Sequence, residues 1–189
     1  FKGLNQTVPA GQLLRLHGAN GAGKTSLLRI VCGLLSPAQG AVWWHGQPAL
    51  GLREEFGRQL VYLGHAAALK DELSAVENLM VSCLLAGTSV STAEATSALA
   101  AAGLRGRERA PARILSQGQR KRVALARLAL SPQAPLWVLD EPFNALDSGA
   151  TAWLVGLIGA HVAQGGIVLL SSHQDVTIGA HVAQQELAL

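Results

Sequence analysis

GANGAGKT, from Gly18 to Thr25, satisfies the pattern G-x-x-x-x-G-K-[ST]. It stands between a short apolar segment, GQLLRLHG, and a segment with helical spacing, KTSLLRIVCGLL. Glycines allow consecutive backbone N–H groups to face one anion, and the N-terminus of a following helix adds its positive dipole end. The stretch therefore predicts a strand, a phosphate-binding loop and a helix in that order.

We expect this loop to bind the phosphates of a nucleotide. Lys24 is expected to reach the β- and γ-phosphates and so to serve catalysis, and the Thr25 hydroxyl is expected to ligate Mg²⁺. The predicted nucleotide-binding residues are Gly18, Ala19, Asn20, Gly21, Ala22, Gly23, Lys24, Thr25 and Ser26.

Acidic and basic side chains follow two later apolar runs. LWVLDEP is too short for a helix and predicts a buried parallel strand that ends at Asp140 and Glu141. We expect Asp140 to hold Mg²⁺ and Glu141 to orient or deprotonate the attacking water. The less favoured alternative is a helix N-cap acid followed by a charged turn residue. His173 follows the next predicted strand, IVLLSSH, and is expected to sense the γ-phosphate by a hydrogen bond.

Composition sets limits on the class of protein. The chain has 189 residues, of which 49% are hydrophobic and 14% charged, which fits one globular domain with a sizeable core. Its two cysteines, Cys32 and Cys83, lie in apolar helical patterns, so we expect no disulfide framework or zinc cluster and a reducing compartment. No apolar run approaches the roughly 18 residues that span a bilayer. Because the chain begins with Phe1 and not with Met, we expect an N-terminal segment, including an edge strand, to be missing.

The order of elements predicts an α/β fold with a parallel-sheet core. GAVWWHG and RQLVYLGH predict a small, hairpin-like antiparallel β layer. Residues from about 70 to 120 predict a helical subdomain inserted between the phosphate loop and the Asp140 strand, with Ser74, and Ser91 or Thr92, as N-caps. ATAWLVGLIGAHVAQ predicts a further helix and GGIVLLSSH a further buried strand, whereas the tail from Asp175 has no clear assignment.

LSQGQRKR, from Leu115 to Arg122, is a second possible anion-binding turn ahead of a helix, within a basic segment. Such a segment could bind nucleic acid, lipid headgroups or a nucleotide, although a solvated face is the commoner explanation. The basic residues of this segment are Arg105, Arg107, Arg109, Arg113, Arg120, Lys121, Arg122 and Arg127.

Five motifs, taken together and in chain order, resemble the ATPase domain of ABC transporters, and the resemblance covers nearly the whole chain. They are GANGAGKT, LSQGQ, WVLDEP, NALD and SSH. The resemblance implies one P-loop NTPase domain, residues 1–189, that binds two ATP molecules in a head-to-tail homodimer. It also implies that Glu141 is the catalytic base, that His173 is the switch histidine, and that 144–147 form a loop linking the two sites. The residues implied to contact the partner's nucleotide are Ser116, Gln117, Gly118 and Gln119. Arg120, Lys121 and Arg122 are then expected to form a solvated or interface face.

A narrower resemblance is to the CcmA family of cytochrome c maturation, whose members are often labelled haem exporters. It is carried by the phosphate-loop region, YLGH, QGQRKRVALARLAL and WVLDEPFNALD. This implies a peripheral subunit at the cytoplasmic face of the bacterial inner membrane, held by the integral membrane proteins CcmB and CcmC. ATP turnover would release a haem-loaded chaperone. Most ABC ATPases have a glutamine where this chain has His65, which is therefore a further candidate metal ligand.

Three other functions remain open at this point. The chain could serve an ABC transporter for another substrate, or act on nucleic acid as a non-membrane ABC ATPase. A P-loop kinase is a third possibility, but it leaves LSQGQ and NALD without a role. Direct haem binding is not expected, because the histidines show no haem-attachment spacing. They are His17, His45, His65, His161, His173 and His181.

Overall fold

The computed structural model describes residues 1–179 and 182–189, apart from the side chain of residue 53. The strands are β1 (Gln12–His17), β2 (Trp43–Trp44), β3 (Gln47–Pro48), β4 (Leu60–Leu63), β5 (Leu136–Asp140), β6 (Ile167–Ser171) and β7 (Ala183–Ala188). The helices are α1 (Lys24–Val31), α2 (Arg53–Arg58), α3 (Ala75–Leu85), α4 (Thr92–Leu99), α5 (Gln117–Ala129) and α6 (Ser148–Ala163).

A parallel sheet forms the centre of the molecule. Within the described residues its strand order is β4-β5-β6-β1-β7, and every neighbouring pair is parallel. All five residues of β5 are buried, as expected for a strand covered on both faces. Because the strands are parallel, their carboxyl ends meet at one edge, where an α/β sheet places its ligands. The predicted α/β class with a parallel core, a small antiparallel sheet and helices is confirmed.

One predicted strand pairing is wrong. The antiparallel layer consists of β2 and β3 alone among the described residues, whereas β4 pairs in parallel with β5. The reason is that β4 is apolar on both faces. Val61 packs in the same cluster as Trp137, and Tyr62 packs against the cluster on the other side of the sheet. A strand with two apolar faces is stabilised in a sheet that is covered on both faces and not in a half-exposed hairpin.

Helices α3, α4 and α5 share a second hydrophobic cluster that includes Leu79, Leu99 and Val123. Both predicted serine caps are present. The Ser74 hydroxyl accepts from the N–H of Glu77 and the Ser91 hydroxyl from the N–H of Glu94, each completed as a capping box.

The histidines of the described residues are dispersed. The His161 ring stacks on Trp137 in the core, with centroids 3.7 Å apart, whereas His45 is exposed. His181 lies outside the described residues, as does part of the second copy of a repeated heptamer, IGAHVAQ, at 178–184.

In the described ranges no cluster of three or more His, Cys, Asp or Glu side chains could hold a metal ion. Nor is any helix there long and apolar enough to cross a membrane.

Candidate functional site

A cleft of about 420 Å³ opens at the carboxyl edge of the sheet. This volume suits a nucleotide-sized ligand. The residues that line it are Asn20, Gly21, Gly23, Lys24, Thr25, Ser26, His65, Glu141, Asn144 and His173. The structure thus brings together residues from the loop after β1 and from the ends of β4, β5 and β6. The lining does not include Ser116, Gln117, Gly118 or Gln119.

The phosphate loop has the backbone shape that its glycines allow. Gly23 has a φ of +106° directly before α1, a conformation that favours glycine. The Lys24 ammonium lies folded into the loop and donates to the carbonyl oxygens of Gly18 at 2.8 Å and Ala19 at 3.1 Å. The lysine is therefore held at the base of the cleft, where an anion would compete for the same donors.

Asp140 is the most buried carboxylate of the site, at 1% exposure. One oxygen, Oδ2, accepts a hydrogen bond of 2.9 Å from the Thr25 hydroxyl, and the other, Oδ1, accepts one of 2.7 Å from the Ser171 hydroxyl. Both carboxylate oxygens are therefore fixed, and Asp140, which does not itself line the cleft, contacts it through the Thr25 hydroxyl.

Ser171 is a site residue that the sequence analysis missed. Besides donating to Asp140, its hydroxyl oxygen accepts from the backbone N–H of Glu141 at 3.0 Å. The available signal was the register between neighbouring strands, because Asp140 and Ser171 are paired at the ends of β5 and β6. A polar residue at the end of an apolar strand, opposite a functional acid, predicts such a contact.

Glu141 has a strained backbone and a buried side chain. Its φ is +49°, which is uncommon outside glycine and asparagine, and it is 7% exposed. Oε2 accepts from the backbone N–H of His173 at 3.3 Å. Oε1 lies 3.4 Å from the Nε2 atom of His173, but in the described structure no donor satisfies it with hydrogen-bond geometry. The Glu141 carboxylate thus keeps one buried oxygen able to accept a proton or a hydrogen bond.

The LSQGQ turn lies at the start of α5. Ser116 is the N-cap: its hydroxyl accepts from the N–H of Gln119, and the Gln119 side chain accepts from the N–H of Ser116. The turn is also packed against the loop after β5. A Cβ atom on Gly118 would lie 2.4 Å from the carbonyl oxygen of Ala145, so only glycine fits there. Ser116 and Gln117 remain exposed.

The three basic residues that follow contact groups of their own chain, so a fully solvated face is wrong, whereas the alternative of an interface face stays a prediction. Arg120 pairs with Asp71 at 2.6 Å, and Arg122 lies 3.5 Å from Asp147, the N-cap of α6. Lys121 is 8% exposed, and its ammonium lies 3.5 Å from the carbonyl oxygen of Asp140.

Burial lowers the pKa of the Lys121 ammonium, and attraction to Asp140 and Glu141 opposes that shift. The sequence did contain a signal for this burial. Lys121 stands four and seven residues before Leu125 and Leu128, on the apolar stripe of α5, and both leucines are buried.

Comparisons with known proteins agree with this geometry. The family model described as ABC transporter matches residues 1–144. The cytochrome c biogenesis ATP-binding export protein CcmA of Aromatoleum aromaticum is 52% identical over 175 residues, which cover 93% of this chain and 82% of that protein. The protein of the same name from Methylococcus capsulatus is 51% identical over 178 residues, 94% of this chain and 86% of that protein.

Among solved structures, a putative ABC transporter ATP-binding protein from Pyrococcus furiosus superposes with a TM-score of 0.81 at 26% identity, covering 97% of this chain and 88% of that one. The family model and the solved structure thus indicate the same fold. It is the fold in which this chain places its phosphate loop, its paired acids and its LSQGQ turn. This chain belongs to the ABC transporter family of ATP-binding proteins and, within it, to the CcmA group.

Proposed function

We propose that the chain is the ATP-hydrolysing subunit of a cytochrome c biogenesis export complex, with Glu141 as the general base. The observation that carries the proposal is the buried Glu141 carboxylate, which keeps a free oxygen beside the phosphate loop and the Thr25–Asp140 pair. Its relatives carry the name of ATP-binding export proteins of cytochrome c biogenesis. The ABC transporter family to which it belongs binds and hydrolyses ATP.

The phosphate loop binds ATP in this proposal. Backbone N–H groups between Gly18 and Ser26 surround the phosphates, and Lys24 exchanges the carbonyl oxygens of Gly18 and Ala19 for β- and γ-phosphate oxygens. The exchange is favourable because an ammonium binds an anionic oxygen more strongly than a neutral carbonyl.

The pair formed by Thr25 and Asp140 fits a hard divalent cation. Thr25 and Asp140 present oxygen donors side by side, and Mg²⁺ is bound in proteins through one or two such groups together with substrate phosphates. Thr25 and Asp140 would hold the ion, which when bound neutralises charge on the phosphates. His65 lines the same cleft and stays a candidate ligand, although an imidazole is a softer donor than these oxygens.

Hydrolysis then depends on Glu141 and His173. Glu141 accepts a proton from a water molecule as that water's oxygen bonds to the γ-phosphorus, and the bond from phosphorus to the bridging oxygen breaks to leave ADP and phosphate. His173 lies against Glu141 and lines the cleft, so its imidazole is placed to donate to the γ-phosphate.

The LSQGQ turn would complete the site of a second copy. Ser116 and Gln117 are exposed at the N-terminus of α5 and do not line the cleft of their own chain. In a head-to-tail homodimer, this turn, residues 116–119, closes over the partner's ATP, and residues 144–147 join the two sites. Integral membrane subunits of the CcmB and CcmC type then couple closure and hydrolysis to release of a haem-loaded chaperone. The helical subdomain we propose for residues of about 70–120 contains this turn near its end.

The first test replaces the proposed base. Glu141→Gln removes the proton acceptor and keeps the size of the side chain, so we expect kcat for Mg-ATP to fall about 10²- to 10⁴-fold while ATP binding persists. Phosphate release and fluorescent-ATP titration measure the two quantities. Glu55→Gln, at an exposed position of α2, is the matched control. A Glu141→Gln variant that hydrolyses ATP within about threefold of the parent would exclude Glu141 as the base.

The second test concerns the export complex. We expect the tagged chain to recover CcmB and CcmC from solubilised membranes of a bacterium that carries the system. Recovery of an unrelated permease in their place would overturn the export assignment and leave the ATPase proposal intact.

A further inference from the structure

Lys121 is a buried charged residue to which the proposed mechanism gives no role. It lies on α5, five residues after the N-cap Ser116, and is 8% exposed. Burying an ammonium is unfavourable unless nearby groups compensate it. Its hydrogen-bonding partner in the described structure is the backbone carbonyl oxygen of Asp140, at 3.5 Å.

That carbonyl belongs to the peptide unit that joins Asp140 to Glu141. The oxygen of this unit faces Lys121, and its N–H, on Glu141, donates to the Ser171 hydroxyl at 3.0 Å. The same peptide plane is therefore held from one side by α5 and from the other by the end of β6. Because a peptide unit is rigid, these two contacts hold in one orientation the plane from which the φ of Glu141 is measured.

The φ of Glu141 is unusual. It is +49°, a value that costs an ordinary residue free energy and persists only when its surroundings enforce it. Without such enforcement the peptide would relax towards a common conformation, and the Glu141 carboxylate would leave its place beside His173.

We propose that Lys121 is a positioning residue for Glu141, holding the Asp140–Glu141 peptide so that the carboxylate stays aimed into the cleft. This inference rests on the proposed function, in which Glu141 is the base. It also links the first turns of α5, which follow the N-cap Ser116, to the base in the same chain's site.

The test separates positioning from general support of the fold. Lys121→Met keeps the length of the side chain and removes its charge and donor. We expect kcat to fall about 10- to 100-fold, as for a small misplacement of a catalytic group, with KM for ATP and ATP binding within about twofold of the parent. Lys121→Arg, which restores a buried cation and donor, should recover most of the activity. Arg109→Met removes an exposed charge and should have no effect.

A double-mutant cycle gives the decisive readout. If Lys121 acts through Glu141, adding Lys121→Met to Glu141→Gln should lower single-turnover hydrolysis by less than about threefold further. A full additive loss, loss of ATP binding in Lys121→Met, or unchanged kcat would each overturn the inference. If Lys121→Met does not fold, Lys121→Gln is expected to show the same loss and the same non-additivity. An active Glu141→Gln variant would instead refute the proposed function, so the two failures are distinguishable.

Discussion

At the residue scale, His161 shows how the core keeps an ionisable ring neutral. The imidazole stacks on the indole of Trp137 with an angle of 4° between the rings, and its Nε2 atom is buried without a partner in the described structure. Desolvation lowers the pKa of His161 below its ordinary value of 6.5, and the Pro135 carbonyl only partly opposes this. Protonation would place an unpaired charge in the core.

The free energy of unfolding should consequently decrease in mild acid. Below a pH of about 6.5 the unfolded chain gains a proton on this imidazole, whereas the folded chain gains it only at the lowered pKa, so stability is lost as pH falls through that interval. His161→Phe keeps an aromatic ring on Trp137 and should flatten this slope in urea unfolding at pH 7.5 and 5.5.

His45→Asn removes an exposed imidazole at a positive φ that asparagine tolerates, and it serves as the control. An unchanged slope in His161→Phe would show that other groups cause the acid loss.

Several residues of the cleft could be predicted because a local pattern marks each of them. Lys24 lies in a recognisable loop, and Asp140, Glu141 and His173 follow apolar strands. Ser171 ends an apolar strand and Lys121 lies on the apolar stripe of α5, but neither pattern identifies the group that each contacts. Their contacts with the Asp140–Glu141 peptide join positions 30 and 19 residues apart, and sequence spacing does not reveal such pairings.

At the element scale, Asn78 on α3 fixes the segment that leads from β4 to the helices. Its side-chain oxygen accepts from the N–H of Lys70, and its side-chain nitrogen donates to the carbonyl oxygens of Lys70, Leu73 and Ser74. The residue is buried, so these backbone groups have little access to water.

Asn78→Ala should lower the free energy of unfolding by about 1–3 kcal/mol, because it leaves buried backbone groups unsatisfied. Urea denaturation measures the change. Gln133→Ala, which removes an exposed amide hydrogen-bonded to Thr88, should cost less than about 0.5 kcal/mol. Equal losses in the two variants would contradict a special role for Asn78.

The strands show which pairings a single sequence can reveal. β5 and β6 were predicted as buried parallel strands because they are continuous apolar runs bounded by turns. The neighbour of β4 could not be read locally, since a short apolar run predicts a strand but does not show which strand it pairs with. β7 was not assigned at all. Its sequence, AQQELA, is polar, and its pairing with β1 is what orders it as an edge strand.

At the scale of the whole molecule, the LSQGQ turn does not line the cleft of its own chain. Head-to-tail assembly predicts that each site takes its phosphate loop from one copy and its turn from the other. Lys24→Ala damages only the phosphate loop, and Ser116→Arg adds bulk only at the LSQGQ turn.

Each of these variants alone should be inactive, whereas a mixture should regain hydrolysis. Random pairing makes half of the dimers mixed, each with one intact site of two, so the mixture should show about a quarter of the parental activity. Phosphate release after co-refolding of equal amounts measures it. An inactive mixture, or an active Ser116→Arg variant alone, would contradict the shared site.

The contact between Gly118 and the carbonyl oxygen of Ala145 determines how a genetic screen of this chain should be interpreted. A methyl group at Gly118 meets the chain's own loop at 2.4 Å before any neighbouring nucleotide is considered. A screen that scores only lost growth will find that Gly118 does not tolerate substitution. It will not distinguish misfolding of the chain from failed assembly. The side chain of Ser116 is exposed, so growth lost on substitution at this position measures assembly with the neighbouring copy.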